Sequence, residues 1–320
     1  MIRTLPRAPE GGKTLDHVRA ARERAVAPAG PAGCGRPPSP RSIVVEPDRF
    51  RLDAGPGSLH VARTGHGARA VVLVHGFGTT HAVWRGIAPA LVRARCTVWT
   101  PDLLGFGESD RPIEAPLDAA AQAGYLRDAL AAGSVPRATF VGLDLGALVV
   151  LVLAAVAPQL VERAVLVSPL VPASLPPDDV AALQRETGAH ALRLARDVAG
   201  AAELIGPLLR SRAADPALIS DALVARYTAP FVGRHGVRQL LALARSLDRA
   251  NAPQLTPEAV RVPALVVRGA AEPLIADDPV EHFVRGLAGA RSLRLEGVGR
   301  LAPEEAPAAL AAVIVAFLAG

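Results

Sequence analysis

The chain has 320 residues, half of them apolar, and 35 Arg and Lys against 30 Asp and Glu give a formal net charge of +5. The surplus is confined to the first 51 residues, which carry ten basic and five acidic side chains and leave the remainder balanced at 25 of each; this argues against the basic folded face that nucleic-acid binding needs. The longest apolar runs fall short of the roughly 18 residues of a membrane span, the N-terminus lacks a secretory signal's apolar stretch, and Cys34 and Cys96 read as reduced thiols of a cytoplasmic protein.

In chain order, residues 1–45 are rich in Pro, Gly, Ala and Arg, with a short helical pattern over 15–27 as their only periodicity. A poorly ordered extension is expected there. From Ser58 onward the pattern becomes strand, turn, helix, repeated. Apolar and β-branched runs at 70–74, 96–100, 138–141, 164–167, 264–267 and 292–295 predict strands. Helical patterns at 81–93, 117–132, 145–157, 278–287 and 307–318 lie between them. Such alternation predicts a mostly parallel, twisted α/β sheet with helices on both faces. Residues 172–262 break it, reading as helices over 178–188, 189–206, 216–227 and 237–250 with no strand between. A crossover needs only about a dozen residues, so this segment is expected to be a helical lid. The predicted organisation is an extension (1–45), a core (46–171), the lid (172–262) and the rest of the core (263–320).

The most informative run is Gly142, Leu143, Asp144, Leu145, Gly146. Its spacing is that of a nucleophile elbow, G-x-S-x-G, with a carboxylate in the serine's place. A carboxylate is ionised near neutrality and attacks carbon to form an ester intermediate. Upstream come His75, Gly76, Phe77 and Gly78, then Trp84, then a D-x-x-G-x-G-x-S run from Asp102 to Ser109. Downstream, Gly269, Ala270, Ala271, Glu272 and Pro273 follow one predicted strand, and Gly299, Arg300, with Glu305 and Pro307 beyond, follow the last.

Together these motifs resemble the α/β-hydrolase superfamily over about residues 58–320, and the Asp elbow most resembles its haloalkane dehalogenase and epoxide hydrolase branch. The resemblance implies the α/β-hydrolase fold, with the backbone N–H groups of Phe77 and Leu145 forming an oxyanion hole. It places Glu272 in the position of the triad's acid, where glutamate orients a base as aspartate does; the other reading of Glu272 is an exposed loop carboxylate. In the last motif the superfamily has G-H-x-x-x-x-E-x-P, so Arg300 stands where the histidine base belongs. A guanidinium with a pKa above about 12 accepts no proton at neutral pH. Attack by Asp144 needs no base, whereas hydrolysis of the ester needs an activated water.

Tyr227 and His235 are the lid residues expected to contribute to such a site, His75 reads as a packed histidine and His282 as a surface one. The resemblance departs from both named activities: epoxide hydrolases place a proline at the position of Gly78 and use lid tyrosines, and dehalogenases have a tryptophan at the position of Leu145. No cofactor or metal motif is present. The expected function is that of a hydrolase-like enzyme acting on a small, largely apolar molecule through an impaired triad, by weak hydrolysis or a repurposed non-hydrolytic reaction. The alternative is a non-catalytic small-molecule binding protein with a lidded pocket. Neither a nucleic-acid nor a membrane partner is expected, and the oligomeric state is open.

Overall fold

Eight strands form one sheet in the computed structural model, which describes residues 46–186, 193–194, 200–232, 235–272 and 277–320. The strands are β1 (Asp48–Asp53), β2 (Ser58–Thr64), β3 (Arg69–Val74), β4 (Cys96–Pro101), β5 (Ala138–Leu143), β6 (Val161–Val167), β7 (Ala264–Gly269) and β8 (Arg291–Leu295). Their order is β1-β2-β4-β3-β5-β6-β7-β8; β2 pairs antiparallel with both β1 and β4, and every other pairing is parallel. This is the α/β-hydrolase fold with its mostly parallel sheet. The predicted extension over 1–45, and parts of the predicted helices over 178–188 and 189–206, lie outside the described residues.

The central strands read as continuous apolar runs because both faces are covered; every residue of β5 and β7 is buried. On their flanks lie α1 (Ala88–Arg93), α2 (Ala119–Ala132), α3 (Leu145–Val156), α8 (Asp277–Gly286), the four-residue α9 (Ala302–Glu305) and α10 (Pro307–Ala319). Asp118 caps α2, accepting from the N–H groups of Ala120 and Ala121 at 3.0 and 3.1 Å. The helix α3 is apolar almost all round because Leu145 to Ala154 are all buried.

Between β6 and β7 lie α4 (Asp178–Gln184), α5 (Gly200–Arg212), α6 (Asp221–Thr228) and α7 (Gly236–Arg245), with no strand among the described residues of that segment. Its helices meet the loops at the carboxyl ends of the strands: Ile205 and Leu208 of α5 pack at Gly78, and Leu243 of α7 at Gly105.

Three details differ from the sequence pattern. The helix expected over 81–93 is a 3-10 turn, His81–Gly86, followed by α1, because Pro89 enters at the first turn of the second piece. The strands β1 and β2 were not in the predicted set; in β1 polar and apolar residues alternate along a half-exposed edge, a weaker signal than the buried runs. The strand β8 is the opposite edge, exposed over its first four residues.

Candidate active site

Asp144 sits at φ 54°, ψ −114°, a conformation that side chains rarely adopt, on the turn between β5 and α3. Two glycines let the backbone through. A Cβ at Gly142 would lie 2.4 Å from the Gly146 carbonyl oxygen, and one at Gly146 would lie 2.4 Å from those of Val74 and His75. The turn is pinned by the Asp144 N–H donating to the Val167 carbonyl at 3.0 Å and by its own carbonyl accepting from Ala147 at 3.1 Å. The elbow therefore has the geometry its sequence spacing predicts, and strain of order 1–3 kcal/mol is held by the surrounding sheet.

The carboxylate that this turn presents is enclosed and fully engaged. Oδ2 accepts from the Phe77 N–H at 3.0 Å and from Arg212 Nη1 at 3.2 Å, and Oδ1 is ion-paired with Arg300 Nη2. Asp144, Arg212 and Arg300 are each no more than 1% exposed. Arg212 also donates to the Phe77 carbonyl at 3.0 Å and, through Nε, to Asp179 Oδ2 at 2.5 Å. Two guanidinium groups thus face two carboxylates, and the buried set is neutral. Burial alone lowers the Arg212 pKa, but Asp179 and Asp144 outweigh it and hold the pKa above its usual value. For Asp179, burial pushes the carboxyl up while Arg212 and then Arg300 bring it below its ordinary range. Of the two expected oxyanion-hole donors, Phe77 reaches Asp144; no hydrogen bond joins the Leu145 N–H to that carboxylate.

Backbone contacts hold Arg300 in place. Its N–H donates to the Arg212 carbonyl at the end of α5 at 2.7 Å. Glu305 accepts from the N–H groups of Gly299, Leu301 and Ala214 at 3.0, 3.1 and 2.7 Å, tying the Arg300 loop to the end of α5. The glutamate was visible in the last motif; the three amides it gathers were not.

Other predicted site residues are placed elsewhere. Glu272 lies after β7 and pairs with Arg268 of that strand at 3.0 Å, its carboxylate buried, so it is not the exposed loop group; among the described residues no hydrogen bond or ion pair joins it to Arg300. Tyr227 is buried on α6, its hydroxyl donating to Glu304, which also forms a two-point ion pair with Arg85. His235 is exposed at the start of α7 and His282 is exposed on α8. The buried His75 donates Nδ1–H to the Gly76 carbonyl at 2.9 Å and accepts from Leu103 N–H at Nε2, 3.0 Å away. That pattern fixes a neutral tautomer, and burial lowers its pKa. No histidine is hydrogen-bonded to Asp144 among the described residues. Arg212 and Asp179 escaped the sequence reading altogether, since a lone Arg at a helix end and a lone Asp at a helix start carry no motif.

Residues 69–203 match the α/β hydrolase fold family. Over 126 residues the chain is 40% identical to an uncharacterized protein of Mycobacterium tuberculosis, an alignment covering 36% of each chain, so it spans about a third of that relative's length. It is 28% identical to Epoxide hydrolase A of the same organism over 319 residues, covering 86% of this chain and 98% of the relative. Among solved structures, Cfl2 from Burkholderia cenocepacia superposes with a TM-score of 0.72 at 27% identity, covering 87% of this chain and 97% of that one.

Proposed function

We propose, for a chain of the α/β-hydrolase superfamily with epoxide hydrolase-like homologues, that the Asp144 site no longer completes hydrolysis and that the protein is a non-hydrolytic, small-molecule-binding member of that superfamily. One observation carries this reading: the Arg300 guanidinium is paired with Asp144 Oδ1 in a site closed to solvent. Oδ2 is held by the Phe77 N–H, so Oδ1 is the oxygen left to attack carbon, and Arg300 neutralises it. A paired carboxylate is a poor nucleophile, and Arg300 takes no proton from water. Any ester formed on Asp144 therefore persists.

The helices between β6 and β7 act as the lid in this reading. Arg212 at the end of α5 lies on Asp144, so a ligand entering from that side must displace the helix or exchange with its charge contacts. The expected ligand is small and largely apolar, bound under the helical cover.

A second reading, a hydrolase-like enzyme that retains the covalent step, is favoured by the Phe77 N–H, which is placed to stabilise the carbonyl oxygen of an Asp144 ester. One experiment separates the two. Wild type, Arg300→His and Asp144→Ala are incubated with a panel of epoxides, haloalkanes and esters, with product release and intact protein mass followed. The binding reading expects no turnover by wild type and no added mass. Stoichiometric halide release with mass added at Asp144 supports the enzyme reading, and wild-type turnover lost in Asp144→Ala would falsify the binding one.

A further inference from the structure

Three chain segments, 21 residues apart in sequence, meet at a second cluster: His60 of β2, His81 at the start of the 3-10 turn, and Asp102 just after β4. Asp102 is fully buried, His60 is 4% exposed, and the His81 side chain is 17% exposed. Asp102 Oδ2 lies 3.1 Å from His60 Nδ1 and 2.8 Å from His81 Nδ1, and one donor atom from each of the three residues falls within 4.8 Å of the others. Two donors bound to one ion at ~2.0–2.2 Å stand roughly 3 Å apart. A cavity of about 600 Å³ adjoins the cluster, lined in part by Thr80, His81, Asp102, Glu108 and Arg111.

We propose that His60, His81 and Asp102 form a binding site for one divalent transition-metal ion of the zinc or cobalt kind, its fourth position open to this cavity. Two imidazoles and one carboxylate are a donor set that such ions take, with an open position for water. Of the three ligands only Asp102 belongs to a sequence motif, and the sheet order brings them together.

The surroundings are those of a supported site. Asp102 is oriented by the His81 N–H on Oδ1 at 2.7 Å and by the Glu108 N–H on Oδ2 at 3.0 Å. As a hydrogen-bond acceptor, Oδ2 is crowded by two imidazole nitrogens and an amide. An ion at this place bonds both Nδ1 atoms, so each bound ring carries its N–H at Nε2. His60 Nε2 then needs an acceptor, and Glu108 Oε2 is 3.7 Å from it. This is the outer-shell carboxylate that metal-bound histidines commonly use. Arg49 donates to His60 Nε2 at 3.3 Å in the hydrogen-bonded state and must leave that contact; its pairing with Glu108 Oε1 at 3.4 Å gives it a place to go. Arg111 and Arg226 also line the cavity; Arg111 donates to the Gly107 carbonyl and lies 5.5 Å over the Phe231 ring.

The test is titration of the full chain, freed of metal by a chelator, with Co²⁺ alone. One equivalent is expected to bind with the visible absorption of a low-coordinate site, and Zn²⁺ is expected to displace it. His60→Gln and His81→Gln, checked for folding by circular dichroism, should each weaken binding by roughly tenfold or more, and Glu108→Ala by about tenfold. Absence of stoichiometric Co²⁺ and Zn²⁺ binding, or binding unchanged in both histidine variants, overturns the proposal and leaves the cluster a hydrogen-bond clamp. Glu108 is exposed and outside the ligand set, so its variant is expected to fold whatever the histidine variants do; unchanged affinity in Glu108→Ala counts against the site as described.

Discussion

At the scale of the residue, the buried Arg300 guanidinium paired with Asp144 dominates the site. An imidazole there exchanges a proton with water; Arg300 instead supplies a fixed positive charge that has to be matched in a dry interior, and Asp144 matches it. Breaking a buried ion pair by removing one partner leaves an uncompensated charge, which costs far more than the intact pair contributes. Arg212→Ala strips one partner from both Asp144 and Asp179, and a loss of about 3–5 kcal/mol in unfolding free energy is expected from urea denaturation. A pH dependence follows from Asp179, whose pKa is depressed in the folded state. A depressed carboxylate stabilises the fold above its unfolded pKa of about 3.9, and that contribution is lost as the pH falls toward the folded value. Stability measured from pH 7 downward should therefore decline below about pH 4, and more shallowly in Asp179→Asn. The same slope in both proteins would remove Asp179 from the account.

Among the elements, the strand-loop-helix junctions were the most legible part of the chain. The elbow's two glycines and its central residue fall in a pattern that only one backbone geometry accommodates, and Gly142 and Gly146 meet carbonyls where any side chain would collide. The buried strands were legible for a similar reason, since a run apolar on both faces fits little else in an alternating chain. The contacts of the helices between β6 and β7 were not. Helical periodicity gave their existence, but which side chain of α5 reaches Asp144 depends on where the helix ends and how it is rotated, and no local residue pattern encodes that. For Glu272 the position after β7 was legible, but its pairing with Arg268, four residues earlier, was not. The short α9 also has a role that its four residues do not announce. Glu305 at its end satisfies three amides across two loops, and Glu305→Ala leaves all three without an acceptor. A destabilisation of about 2–4 kcal/mol is expected by thermal or urea unfolding, allowing for partial rescue of the amides by water.

Across the whole molecule, the described residues beyond 45 form one compact unit, and the contacts around Asp144 join its sheet to its helical insertion. The carboxyl ends of the parallel strands supply the elbow, the HGFG loop and the Arg300 loop, where an open α/β sheet places its ligands. The insertion closes over them by way of Arg212, Tyr227 and the backbone of Ala214. A lid that opens on its own is a low-stability element whose amide hydrogens exchange through local motion. Here, lifting α5 away means separating Arg212 from two buried carboxylates and its terminal carbonyl from the Arg300 N–H. The amides of Leu204 to Arg212, Pro207 having none, should therefore exchange with deuterium as slowly as those of β5, through global unfolding alone, and Arg212→Ala should release them to faster, local exchange. By this measure Arg212 makes the insertion a strut and not a gate.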